Sequence, residues 1–405
     1  MSSGKPRFGA LLASSRRQRG MSLAELAAAT YVSRGWINNV EASRRWPPRE
    51  WVEQVERVLG SNASLLQAWD RGECVRAANQ ELRDLLRQSE RESKLLLAIE
   101  PDAVDLDGLN DAVVDLAVAY LASPALPMLK QGVALRQELT RRLKLGATRP
   151  RELADLFIAL GRVSGVLAYA ALDLGDPSAA MVHGETSWRM GDMAGDNALR
   201  AWSRGTQSLI ARFGKRYDLG QKYIEDGLRF AGGGTSEVRL LCGGAQCAAN
   251  VGDSETALAL IDNAQRARDR AGPDKVEGLF GFSPAKQAYY SASSLMWLPD
   301  RSALETAANK AVTAINVWEQ EPVGQRSLDD EALAHVYLAT ARLKLGDIDG
   351  AMTAVRPIID LPPERQISWI RNRIGELANI LDNDRFRNSA AAGDARDELR
   401  TYGAH

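Results

Sequence analysis

Asn38 and Asn39 lie side by side, four and five residues after Arg34, in the segment Met21-Ser-Leu-Ala-Glu-Leu-Ala-Ala-Ala-Thr-Tyr-Val-Ser-Arg-Gly-Trp-Ile-Asn-Asn-Val-Glu41. A carboxamide matches the donor and acceptor that adenine shows in the major groove, and a guanidinium supplies the donors that guanine accepts, or reaches phosphate. This is the chemistry of recognition. Turnover chemistry is harder to find: His183, His335 and His405 are isolated, and there is no HExxH, P-loop or GxSxG motif. Cys74, Cys242 and Cys247 are too few and too oddly spaced for a disulfide framework or a zinc site, and read as buried free thiols. No catalytic residue, metal ligand or cofactor is expected, and the chain reads as a non-enzyme.

The elements that must carry Arg34, Asn38 and Asn39 are helices. At 100° per residue, Ile37 and Val40 face one way while Gly35, Asn38, Asn39 and Ala42 face the other, and Ser33 can cap the start. Ser22 and Glu25 form a capping box for a helix over 23–30. Phe8, Leu11 and Leu12 recur at helical spacing ahead of Arg16, Arg17 and Arg19, which favour a helix C-terminus before Gly20. Trp51, Val55, Val58 and Leu59 follow Pro47-Pro48 as a fourth helix, Leu65, Leu66 and Trp69 close a fifth, and Trp51 and Trp69 read as core.

Leu23 to Leu26, Val32-Ser33, Ile37, Val40-Glu41 and Arg44-Arg45-x-Pro47 together resemble the Xre (phage-repressor-like) helix-turn-helix family over residues 8–70. The resemblance implies a five-helix DNA-binding domain whose third helix reads bases. By position, Arg34, Asn38 and Asn39 match its base-facing residues, and Ser33, Arg44 and Arg45 its phosphate contacts. Two positions depart from the pattern. Ala42-Ser43 replaces a polar-Gly pair, and Gly35 stands where the family often has a longer side chain. A helical Gly costs about 1 kcal/mol against Ala, so Gly35 is either tolerated or lets Trp36 or the backbone approach the duplex.

Charge divides the chain in the same place. Residues 1–71 hold eleven Lys and Arg against six Asp and Glu, so the remaining chain carries a net −6 within an overall −1. A basic head suits phosphate, because cations near a polyanion release condensed counterions. Residues 1–20 lack a signal-peptide pattern and no run of eighteen apolar residues occurs, so a cytoplasmic location without membrane contact is expected.

The expected domains are a DNA-binding head over 1–72, a connector helix over 73–100, a helical body over 101–387, and a frayed or disordered tail over 388–405. In the connector, Val75, Ala78, Leu82 and Leu85 keep a heptad-like spacing that fails at Ser89 and Glu92, too short for a confident coiled coil. A homodimer is expected because such readers commonly occupy two half-sites; the pairing surface is not specified.

The body repeats a turn grammar in Leu174-Gly-Asp-Pro-Ser-Ala-Ala180, Phe213-Gly-Lys-Arg-Tyr-Asp-Leu219, Val251-Gly-Asp-Ser-Glu-Thr-Ala257 and Leu345-Gly-Asp-Ile-Asp-Gly-Ala351, with a looser copy at Leu298-Pro-Asp-Arg-Ser-Ala303. Each reads as a helix ending at Gly and a turn that caps the next helix. The whole is therefore all-α, and the body resembles a degenerate tetratricopeptide domain, an irregular helical bundle being the alternative. That resemblance implies a superhelix with a concave groove. Its inward positions fall on Arg162, Tyr169, Arg204, Ser208, Arg212, Arg239, Gln246 and Asn250, and, from the looser copy, on Lys286, Tyr289 and Trp297. Such a basic, amide-bearing and aromatic set suits a ligand with carboxylate or phosphate charge and an apolar part, although each residue could equally serve internal bonding. Two functions fit: a transcription regulator on a double-stranded DNA operator, responsive to a small-molecule or peptide effector, or a DNA-anchored adaptor whose repeats dock a protein.

Overall fold

The computed structural model describes residues 8–97, 108–144, 150–274 and 276–403. Met1, Pro101 and His405 lie outside them. Nineteen α-helices and no strand occur among the described residues, and the chain divides into two compact units, 1–85 and 86–405. The boundary therefore falls inside the region read as a connector.

The first unit holds α1 (Phe8–Gln18), α2 (Leu23–Ala29), α3 (Arg34–Glu41), α4 (Arg49–Leu59) and the start of α5 (Ser64–Leu96). The Glu25 N–H donates to Ser22 Oγ at 3.2 Å and the Ser22 N–H to Glu25 Oε2 at 2.7 Å, completing the capping box. Glu56 of α4 accepts the Leu65 and Leu66 amides at 3.0 and 2.9 Å, so a carboxylate from the preceding helix serves the start of α5. The core joins Phe8, Leu12, Leu26, Ile37, Val40, Trp51, Val52, Val55, Leu59 and Leu65, with Trp69 half-buried at its edge.

Two expectations change here. The fifth helix and the connector are one element, α5, because Gly72 continues the helix: a Cβ there would lie 2.2 Å from the Trp46 ring, so this glycine makes room for an indole. Cys74 is exposed; only Cys242 and Cys247 are buried, and all three thiols are free.

The second unit is built from helical hairpins: α6 (Leu109–Ala119) with α7 (Ala125–Lys144), α8 (Pro150–Asp173) with α9 (Pro177–Ala194), α10 (Asn197–Phe213) with α11 (Tyr217–Leu228), α12 (Thr235–Asn250) with α13 (Ser254–Arg270), α14 (Pro284–Leu295) with α15 (Arg301–Gln320), α16 (Leu328–Leu345) with α17 (Ile348–Ile359), and α18 (Ser368–Ile380) with α19 (Ala390–Gly403). From α8 onward the first helix of each hairpin packs on the first helix of the next, the arrangement of a superhelical repeat array. Gly175, Gly252 and Gly346 take left-handed φ values of 89°, 86° and 94°, and the next residue, Asp176, Asp253 or Asp347, accepts an amide of the following helix. Gly195-Asp196 repeats this device between α9 and α10. At the second copy the left-handed residue is Lys215, not Gly214, and no side chain caps α11.

The array closes on itself and its interior is filled. Ser368 Oγ donates to the Leu172 carbonyl at 2.7 Å and Trp369 Nε1 to Asp173 Oδ1 at 2.6 Å, tying α18 to α8. Helical turns at Tyr120–Ala122 and Gly278–Phe280 enter the concave side; Tyr120 donates to Asp173, and Trp202 Nε1 to the Leu279 carbonyl. The open concave groove implied by the repeats is thus occluded. The segment read as a frayed tail is α19, whose Ala392, Ala395, Leu399 and Tyr402 are buried.

Candidate functional site

In the first unit, α3 is held as a rigid platform. Arg16 of α1 grips Glu41 through Nε to Oε1 at 2.7 Å and Nη2 to Oε2 at 2.9 Å, each side chain being 10% exposed. That bidentate bond raises the Arg16 pKa despite its burial. Gly9 lets α1 approach closely, because a Cβ there would stand 2.5 Å from the Val40 carbonyl oxygen. Trp36 packs edge-on against Trp51, with ring centroids 4.5 Å apart.

On this platform Arg34 and Asn38 are exposed and Asn39 is half-buried. Among the described residues the side chains of Arg34, Asn38, Asn39 and Arg44 have no hydrogen-bond or ion-pair partner. Ser33 Oγ accepts the Trp36 amide at 3.1 Å, which leaves its hydroxyl proton free to donate. Arg44 and Arg45 are exposed beyond the helix end, where the Asn39 carbonyl accepts both their amides, and the Arg45 guanidinium lies 5.5 Å from the Trp36 ring centre. All six expected contact residues therefore lie on or beside one helix. Tyr31, outside the expected set, is 91% exposed in the turn between α2 and α3 and holds a left-handed φ of 55°. Its signal was an aromatic outside every apolar stripe.

In the second unit the expected groove residues gather in part: Tyr169, Arg239, Lys286 and Tyr289 line one small internal cavity, and Arg212, Gln246 and Tyr289 another. Arg239 is buried and donates to the Trp202 carbonyl, Tyr169 and Thr206 at 2.7, 2.8 and 3.0 Å. Gln246 donates to Ser293, Asn250 to the Gln246 carbonyl, and Lys286 to the Gly281 carbonyl. Tyr289 stacks on Tyr337, and Ser208 is fully buried. Arg204 pairs with Asp226 at 2.6 Å and covers the Trp188 ring, while Lys344 lies over Trp297. These nine serve internal bonding and packing. Arg162 lies apart, in a cleft of about 370 Å³ with Trp202, Phe230, Phe280 and the glycine run 232–234.

Arg212 alone of the set lines a larger cleft, of about 550 Å³, between the α10–α11 turn and α18–α19. Lys215, Arg371, Arg373 and Arg400 line it too, with Glu376 the lone carboxylate in its wall and Phe213, Tyr217 and Trp369 as its rings. Nothing in the turn grammar pointed to α18, because no Gly-Asp pair precedes it.

His183 is buried among Ser89, Ser93 and Arg136, with Nε2 2.9 Å from Ser89 Oγ. Burial first, and the Arg136 charge second, hold its pKa well below the usual imidazole value. Neither of the two clefts described above is lined by it, and its ring nitrogens are taken up by the Ser89 and Ser93 hydroxyls. His335 Nδ1 meets the Ala354 carbonyl. One helix stretch, Glu152–Asp173, is long and apolar enough to cross a membrane, but most of it is buried in the array.

Residues 7–69 match the helix-turn-helix domain family. No curated protein matches the chain. Among solved structures, similarity is found to Bacillus thuringiensis PlcR in complex with the peptide PapR7 and DNA, at 12% identity over 78% of this chain and 96% of that one, with a TM-score of 0.34. Human IFIT1, solved as a dimer with m7Gppp-AAAA, is similar at 14% identity over 98% and 82%, with a TM-score of 0.41. The N-terminal unit is a helix-turn-helix domain, which supports a DNA-binding regulator.

Proposed function

We propose that the protein is a cytoplasmic, non-enzymatic transcription regulator: a homodimer whose helix-turn-helix units bind an operator in double-stranded DNA, and whose repeat unit binds an effector, a small molecule or peptide, that changes operator affinity. The observation that carries the first half is the unpartnered side chains of Arg34 and Asn38 on a helix locked by Arg16 and Glu41, with Arg44 equally unpartnered just past its end. Side chains left free on a rigid helix are what direct readout needs. The second half is supported by the basic cleft of the repeat unit.

The test is fluorescence anisotropy on the DNA upstream of the protein's own gene. Arg34→Ala and Asn38→Ala should each cost about 1–3 kcal/mol and relax sequence preference, while Arg44→Ala weakens all sequences alike. Unchanged preference in both variants would overturn the assignment of α3. A partner protein retained by the repeat unit, with operator affinity indifferent to small molecules and peptides, would favour the adaptor.

A further inference from the structure

The basic cleft contains a charge that the fold does not answer. Arg212 is 5% exposed and its Nη1 has no hydrogen-bond partner. Among the described residues its only hydrogen bond is a 3.3 Å one from Nε to the Ser208 carbonyl, and its guanidinium lies 5.7 Å from the Tyr290 ring centre. A buried cation without a carboxylate is costly, and it persists where something outside the chain can supply the anion.

The surroundings add to the surplus. Glu376 is shared: it accepts from Arg373 at 2.5 Å and lies 3.2 Å from Lys215. Arg371, on the same wall, has no ion pair among the described residues. Guanidinium forks match the planar oxygen pairs of carboxylate and phosphate, and the Phe213 and Trp369 rings, 4.2 Å apart, give the cleft an apolar side. The volume is that of a small-molecule pocket.

We infer that this cleft is the effector site and that its ligand is a small molecule carrying at least two clustered negative charges, as phosphate or carboxylate, beside an apolar part. This rests on the proposed effector response. The cleft also spans the seam where the array closes, with Arg212 and Lys215 on the α10 side and Arg371 and Arg373 on α18. A bound polyanion bridges the two sides and fastens the closure.

The experiment titrates pyrophosphate and citrate into the full-length protein at constant ionic strength, read by calorimetry and thermal shift. At least one should bind saturably below about 1 mM and raise Tm, the stronger one identifying a phosphate or a carboxylate ligand. Arg371→Gln and Lys215→Gln, at a half-buried and an exposed position, should weaken binding about tenfold, and Glu376→Gln, which frees two cations, should tighten it. Gly375→Trp should block binding without lowering the Tm of the free protein, because a Cβ at Gly375 meets no atom within 4 Å. Absence of saturable binding by both anions, or affinity unchanged by Arg371→Gln and Glu376→Gln, would overturn the site. If a cell-extract fraction shifted operator affinity equally in wild type and Gly375→Trp, the cleft would fall while the effector response stood. If the anions bound as expected but left operator affinity unchanged, the response would fall and the anion site would stand.

Discussion

Arg16 and Arg212 are both buried guanidinium groups, and they behave oppositely because only one has a carboxylate. Arg16 is satisfied by Glu41 in bidentate geometry, so removing it strands a nearly buried negative charge. Arg16→Met should therefore cost the helix-turn-helix unit about 3–5 kcal/mol, seen as an early separate transition in a chemical denaturation of the full chain. A loss under about 1 kcal/mol would show that water screens the pair. Asp329 is a third case: burial, outweighing the Arg365 guanidinium 3.3 Å away, pushes its pKa up to about 6. The folded pKa lies above the unfolded one, so the favourable contribution is complete below about pH 4 and is lost as pH rises through 6. Asp329→Asn should accordingly raise the Tm of the repeat unit at pH 8 and leave it little changed at pH 4.5. An equal shift at both values would contradict the sign. The exposed polar face of α3 was legible in the sequence, because Asn and Arg on a small polar face advertise themselves; whether a buried Arg has a partner was not, because that depends on helices far apart in the chain.

Elements were legible where their ends are chemically marked. Ser22 with Glu25, and Gly-Asp at 175–176, 252–253 and 346–347, specify helix ends by hydrogen bonds between near neighbours. The junction at Gly72 misled because its reason lies in the Trp46 ring, 26 residues away in the chain, and α19 was missed because two of the four positions in its buried stripe are Ala, which gives weak contrast. A Cβ at Gly35 meets nothing within 4 Å, so the protein itself has no need of glycine in the exposed face of α3. Gly35→Ala should then stabilise the unit by about 1 kcal/mol through helix propensity. If the duplex backbone comes close at this position, the same variant loses operator affinity, and the two effects oppose one another. Greater stability with unaltered affinity would leave Gly35 without a role in DNA approach.

At the scale of the repeat unit, the decisive contacts join residues 196 apart in sequence: Ser368 with the Leu172 carbonyl, and Trp369 with Asp173. No local pattern announces such a closure, which is why an array legible as hairpins did not reveal its filled interior or the basic cleft at its seam. Trp369 contributes twice, donating to a buried carboxyl whose pKa is raised well above normal by burial, and packing edge-on against Phe213. Trp369→Ala removes both and should cost about 3–5 kcal/mol, as large aromatic deletions in cores do. The more telling consequence is mechanical. If closure is what holds the hairpins as one cooperative body, the variant should show a larger radius of gyration by solution scattering and a broadened unfolding transition, since stacked repeats without an end-to-end contact are coupled only to their neighbours. Trp369→Phe keeps most of the ring packing while losing the N–H donor, so it should retain the wild-type radius and lose only part of the stability. Equal expansion in both variants would assign closure to the hydrogen bond, and a compact, cooperative Trp369→Ala protein would show that the ring fills space without fastening the array.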